Sequence, residues 1–164
     1  MSAQTLTIGA LAVAQAHEDW RDQMISLGIE TYWQYEMTSQ IDTDTAVTVA
    51  NALNDIRVRD CLMWHMVRYS CPDLVTPILD HAIPLLPGKP GAQAALVAAV
   101  AFALQDMENE CAFAIAYAVN YDRDNRMIQL AGLTFAQGGA SLLKKAMQDM
   151  MADLTYDEVR IPFK

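Results

Sequence analysis

The chain has 164 residues, of which 53% are hydrophobic and 19% charged, a composition typical of one globular domain rather than of a disordered segment. Its formal net charge of -9 argues against nucleic-acid and anionic-membrane partners, because an acidic surface repels phosphate groups. The longest apolar run, 94–104, is shorter than the ~20 residues that cross a bilayer. No basic region precedes the apolar run 8–16, so a signal peptide is not predicted and we expect a cytoplasmic protein.

Apolar side chains recur every three or four residues from Ile8 to about Glu36, and this spacing predicts a first long helix. We expect this N-terminal helix, within residues 1–40, to pack on the remainder of a single domain that spans 1–164. Glycine and proline are sparse, while alanine, leucine, methionine and glutamine are frequent, and this balance favours helices throughout the chain.

Acidic and hydroxyl side chains indicate where the next two helices begin. Asp42 or Thr43 is expected to accept hydrogen bonds from the free amides at the start of a short helix over 46–53. Asp55 is expected to do the same for a helix whose apolar face lies within 58–69. Both helices are therefore predicted from local capping as well as from periodicity.

Prolines and glycines mark the middle of the chain. Thr76 is expected to cap a helix that has Pro77 at its first position, where proline loses no needed amide. The prolines and glycines within 84–91 predict a loop, which is the clearest internal boundary of the sequence. Because this loop is short, we expect both halves of the chain to pack as one unit.

The second half is expected to form an antiparallel helical hairpin from Gln93 onward, followed by two further helices. Gly138 and Gly139 are expected to end the first of these, since glycine adopts the left-handed backbone at low cost. The tail 156–164 is expected to be extended. The residues expected to face inward are Ala94, Val97, Ala98, Ala101 and Leu104, then Cys111, Ala112, Ile115, Ala116 and Val119, then Leu130, Ala131 and Thr134, and finally Leu142, Leu143, Ala146, Met147, Met150 and Leu154.

No run of alternating residues is long enough to predict a β-sheet, because the alternation over 56–59 covers only four residues and leads into a helix. The predicted fold class is therefore all-α, a multi-helix bundle of about seven helices.

Five runs share their order and spacing with a known family. They are Ile56–Asp60, Ala95–Phe102, Asn109–Ala116, Asn120–Asp124 and Leu154–Val159. Together they resemble the C-terminal helical part of an actinobacterial family, domain-of-unknown-function family 4192, over about residues 44–160. Long members of that family carry a mixed α/β portion before the helical part, and this sequence lacks it. The resemblance therefore implies a helical fold without an assigned activity, and it suggests an accessory or phage-encoded gene product.

The same hairpin resembles one tetratricopeptide-like unit, in which small residues let two helices cross closely. A solenoid needs at least three such repeats to bury a continuous core, and no second copy is found in the sequence. We therefore expect one tetratricopeptide-like hairpin inside a helical bundle.

The cysteines and histidines do not form a convincing metal motif. Cys61, Cys71 and Cys111 lie among apolar residues, which predicts buried and reduced thiols. Cys61 and His65 are one helical turn apart, but a structural zinc site needs four ligands, which Cys71 and His81 would have to complete. The sequence also lacks a glycine-rich phosphate loop and a nucleophile elbow. We predict no metal, no cofactor and no enzymatic activity.

Arg59 and Asp60 are the candidate binding residues. The planar guanidinium of Arg59 is suited to hold a carboxylate or a phosphate of a partner. The alternative is a structural role, in which Arg59 contacts a carboxylate on another helix. Since neighbours on a helix point about 100° apart, the two side chains are not expected to face each other.

These observations favour a noncatalytic protein–protein interaction module, whose partner is another protein or a second copy of the chain. One alternative is an acidic inhibitor of a basic host protein, encoded by a phage or mobile element and using the carboxylates of Asp149, Asp153, Asp157 and Glu158. A further alternative is a small enzyme with a pocket near Arg59 and Asp60.

Overall fold

A computed structural model describes the backbone of residues 3–160 and the side chains of residues 12–160. Within this part of the chain every regular element is a helix, which confirms the all-α prediction. The α-helices of this part are α1 Ala3–Thr38, α2 Thr43–Ala52, α3 Ile56–Arg68, α4 Thr76–Ala82, α5 Lys89–Leu104, α6 Glu108–Tyr121, α7 Arg126–Ala152 and α8 Tyr156–Arg160. A 3₁₀ turn, Ile83–Leu85, follows α4.

The predicted caps of α2 and α3 are confirmed. The Asp42 carboxylate accepts a hydrogen bond from the Thr45 amide at 2.9 Å. The Asp55 carboxylate accepts from the amides of Arg57 and Val58, at 2.9 and 3.2 Å. Each aspartate has extended backbone, so its side chain folds back over the first free amides of its helix.

The predicted start of α4 is wrong in its details. Thr76 is the first helical residue rather than the cap, and Val75 occupies the cap position without a side-chain hydrogen bond. The Thr76 hydroxyl instead lies 3.4 Å from the Gln105 side-chain amide at the end of α5. Because α4 is short and weakly capped, its packing against neighbouring helices rather than its own sequence stabilises it.

The predicted loop over 84–91 is shorter in the structure. Its first part is the 3₁₀ turn, and α5 already begins at Lys89 with Pro90 in its first turn. Gly91 lies so close to the Leu86 carbonyl that a Cβ atom there would clash with the oxygen. The loop thus folds tightly onto the start of α5.

The core centres on α5, where nearly every side chain from Gly91 to Ala103 is buried. Small alanines on all sides let α6 and α7 approach it closely, as expected of the hairpin. On the other side α2, α3 and α4 pack on α5, and α1 packs on α2, α3 and α4. Among the described residues, no helix combines the length and the apolar character that crossing a membrane requires.

The inner face of α6 differs from the prediction. Its buried residues are Cys111, Ala114, Ile115 and Ala118, whereas the predicted Ala116 and Val119 are exposed. The predicted Leu130, Leu142 and Met150 of α7 are exposed as well, while Leu143 and Met147 are buried as predicted. In helices with apolar residues on every side, packing rather than periodicity decides which stripe turns inward.

The glycine pair interrupts α7 as predicted, with a kink rather than a loop. Gly139 has φ 70° and ψ -161°, a backbone conformation that only glycine adopts without strain. The Ala140 amide, freed by this kink, donates a hydrogen bond of 2.9 Å to the Glu108 carboxylate of α6. A carboxylate from a neighbouring helix thus caps the second half of α7.

The prediction of an extended tail is wrong for residues 156–160, which form α8. The remaining residues of that prediction, 161–164, lie outside the described part of the chain. The Thr155 amide donates to the Glu158 carboxylate at 2.7 Å, and the Glu158 amide donates to the Thr155 hydroxyl at 3.3 Å. This reciprocal pair is a capping box, which nucleates even a short helix.

Candidate functional site

Arg59 and Asp60 contact each other, contrary to the expectation that they would point apart. The Arg59 guanidinium donates to the Asp60 carboxylate from Nε at 2.9 Å and lies 2.8 Å from it through a second nitrogen. A third nitrogen lies 3.4 Å from the side-chain oxygen of Gln93 on α5. The Arg59 side chain is long enough to curl back, and only 9% of it is exposed. Through the contact with Gln93, Arg59 links α3 to α5.

A hollow of about 260 Å³ lies beside Arg59, but it does not bring together the residues of the enzyme alternative. Arg126 and Asn125 at the start of α7 line it together with apolar side chains, whereas Asp60 does not. No general acid or base accompanies Arg59 in this hollow, so the geometry does not favour catalysis there.

Cys61 and His65 lie in different surroundings on α3. Burial, with the nearby Asp60 charge adding to it, raises the pKa of the Cys61 thiol to about 12, so the thiol stays protonated. His65 packs against the rings of Trp64, Tyr69 and Tyr156, with ring centroids 5.2 to 5.4 Å away. Burial lowers the pKa of His65. From residue 12 to residue 160, no three potential metal-binding side chains cluster together.

The other two cysteines only partly match the prediction. Cys111 is buried, and burial raises its pKa to about 11, whereas Cys71 is only half-buried. The Cys71 thiol lies 3.6 Å from the Asp73 carboxylate, which also accepts a hydrogen bond from the Tyr32 hydroxyl at 3.4 Å. All three thiols are free.

The predicted acidic cluster is partly engaged in local contacts. Asp149, Asp153, Asp157 and Glu158 are all exposed. Asp149 pairs with Lys145 at 3.6 Å, however, and Glu158 belongs to the capping box of α8. Asp149 and Glu158 thus have partners on or beside their own helices, which leaves less charge for an electrostatic partner.

An open apolar groove of about 610 Å³ is a further candidate site, and the sequence did not indicate it. Its walls are α4 with the 3₁₀ turn on one side and α6 on the other, and α5 forms its floor. Phe113, which is 75% exposed, stands at its edge. The lining residues are Leu79, Asp80, Ile83, Pro84, Ala95, Ala98, Phe102, Asn109, Glu110, Phe113, Ala114 and Tyr117.

The groove results from the way the three helices pack. The floor contains the small side chains of Ala95 and Ala98 on α5, while larger residues line the walls on either side. Phe113 lies next to the buried Ala114 on α6 but points away from the core. The one sequence signal was an aromatic residue outside the expected inner stripe of α6.

Neither a protein-family model, nor a curated protein, nor a solved structure matches this chain. The resemblance to family 4192 therefore stays a prediction from sequence.

Proposed function

We propose that the chain is a noncatalytic interaction module that holds an apolar helical segment of a partner protein in the groove between α4 and α6. The observation that carries the proposal is the combination of this groove with the exposed ring of Phe113. An apolar groove with an exposed aromatic side chain at its edge is typical of protein-binding sites.

The shape of the groove supports a helix as the occupant. Its two walls are helices that flank a floor of alanines, and an amphipathic helix fits such a groove with side chains at every third or fourth position. Covering the Phe113 ring would contribute about 1.5–3 kcal/mol to binding.

The chemistry of the groove supports binding rather than catalysis. Its polar lining side chains are those of Asp80, Asn109, Glu110 and Tyr117, and no nucleophile is paired with a base within the groove. The net charge of -9 favours a basic protein as the partner and disfavours nucleic acids and membranes. We also propose that the chain is cytoplasmic and that it belongs with the helical part of family 4192. Both of these proposals rest on the sequence.

The first experiment selects helical peptides from a displayed library of amphipathic sequences and measures their affinity for Phe113→Ser. We expect the selected peptides to lose about tenfold or more in affinity, because the ring supplies apolar contact area. Phe113 is exposed, so the variant keeps the fold. The measurement is a fluorescence anisotropy titration.

Leu133→Ser is the matched control, since Leu133 is 60% exposed on α7 and lies outside the groove. Its affinity for the selected peptides should equal that of the wild-type chain. Peptides that bind Phe113→Ser as well as wild type would contradict the proposed site.

A further inference from the structure

Asp80 and Glu110 lie on opposite walls of the groove, and both lie toward the same end of it. Gln105 at the end of α5 contacts Thr76 at the start of α4, and the short connection after α5 places Glu108 beside the same end. Both walls therefore run antiparallel to α5. Asp80 lies one turn beyond Thr76, and Glu110 lies in the first turn of α6, so both lie toward this same end of the groove.

These two carboxylates lack a counter-ion in the described part of the chain, where none of the six ion pairs includes either of them. Two acidic residues close to them in the sequence, in contrast, do have partners. Glu108 caps Ala140, and Asp106 pairs with Lys144 at 3.1 Å. Of these four carboxylates, those of Asp80 and Glu110 are the two without a counter-ion in the described part of the chain.

The surroundings make a charge at Asp80 costly in the free protein. Asp80 is exposed, but partial loss of solvent around its carboxylate raises the pKa of Asp80, and the neighbouring His81 only partly offsets this effect. The other titratable groups that line the groove are Glu110 and Tyr117 on α6, and α5 contributes none. A cation placed between the walls would relieve this cost.

We infer that Asp80 and Glu110 together hold an arginine or lysine side chain of the docked helix, so that the partner segment is both apolar and basic. This inference rests on the proposed function. Two carboxylates on facing walls suit the planar guanidinium, which donates in two directions at once. The cation then fixes the direction in which the helix lies, because the carboxylates stand at only one end of the groove.

The experiment uses pairs of synthetic helical peptides of about 16 residues, long enough to form a helix. Both peptides of a pair have the same leucine and alanine face. One carries an arginine near one end, and the other carries citrulline, the neutral analogue of arginine, at the same position. A second pair has this residue near the opposite end. In one of the two pairs, we expect the arginine peptide to bind about threefold to tenfold more tightly than the citrulline peptide. This preference should become smaller at high salt.

The double variant Asp80→Asn with Glu110→Gln should abolish the preference for arginine while still binding the citrulline peptide. The control, Asp124→Asn with Asp153→Asn, removes two exposed carboxylates outside the groove and should keep the preference. Circular dichroism confirms that each variant is folded.

The possible failures are distinguishable. Equal, Phe113-dependent binding of arginine and citrulline peptides would overturn the inference and leave the proposed function intact. A preference for arginine that survives in the Asp80 and Glu110 double variant would also overturn it. Binding of neither peptide by the wild-type chain would count against the proposed function itself.

Discussion

The side chain of Asp55 connects two helices through one carboxylate. It accepts hydrogen bonds from the first amides of α3 and from Arg21 on α1 at 3.0 Å, and His17 lies 2.9 Å away. Burial alone would raise the pKa of Asp55, but the hydrogen bonds from His17, Arg21 and the Val58 amide outweigh it and lower the pKa. The ionised form is therefore the one that the folded chain stabilises.

Replacing Asp55 with alanine should lower the free energy of unfolding at pH 7 by about 1–2 kcal/mol, since a helix cap and its contacts with α1 are lost. Because the pKa is lower in the folded chain than in the unfolded one, the contribution is present above about pH 4 and disappears as the pH falls through the folded value. Urea titrations at several pH values measure the difference.

Asp124→Ala, a change at an exposed turn residue, is the control and should alter stability by less than about 0.5 kcal/mol. A difference between wild type and Asp55→Ala that stays constant down to pH 2 would contradict this account.

Among the elements, α7 depends on α6 at its kink. The Glu108 carboxylate occupies the space beside Gly139, where a Cβ atom would collide with it, and it caps the Ala140 amide. The kink therefore combines a backbone conformation reserved for glycine with a cap supplied from another helix.

Gly139→Ala should lower the free energy of unfolding by about 2–3 kcal/mol, because the left-handed backbone and the displaced cap both add to the cost. Gly132→Ala, in the regular part of the same helix, is the matched control. Its new methyl group would meet Val119 and Ile115 at 3.7 and 3.9 Å, which is ordinary contact.

The control should gain about 0.5–1 kcal/mol from the higher helix propensity of alanine. Thermal or urea unfolding of both variants tests the pair. If Gly139→Ala were as stable as wild type, the kink would not need its glycine.

At the scale of the whole molecule, contacts join the beginning of the described chain to its end. Arg160 on α8 pairs with Asp22 on α1 at 2.8 Å, and the Trp64 indole on α3 donates to the Leu154 carbonyl at 2.9 Å. The buried residues of α2 to α7 form one continuous core cluster between these ends. Such an arrangement favours unfolding as one unit.

We expect a single cooperative unfolding transition. Far-ultraviolet circular dichroism reports on all helices, while tryptophan fluorescence reports on Trp20 and Trp33 in α1 and on Trp64 in α3. The two signals should give the same denaturant midpoint. A fluorescence transition that precedes the loss of helix would show that α1 separates first, and it would contradict the prediction of one domain over 1–164.

Local patterns in the sequence were sufficient to predict the all-α fold and the starts of α2 and α3, because periodicity and caps such as Asp42 and Asp55 act within four residues. It also contained the capping box at Thr155 and Glu158, which the extended-tail prediction overlooked. These features are local, so they can be recognised in the sequence without knowledge of the packing.

Packing between helices selected which side of the alanine-rich α6 turned inward and which carboxylates were left without a counter-ion. Ala116 and Val119 fit the same periodic stripe as Cys111 and Ile115, and the contacts with α5 and α7 select among equally apolar faces. Phe113 remains outside that packing, at the edge of the groove. A site made by three helices depends on their relative placement, and no local pattern in the sequence carries that information.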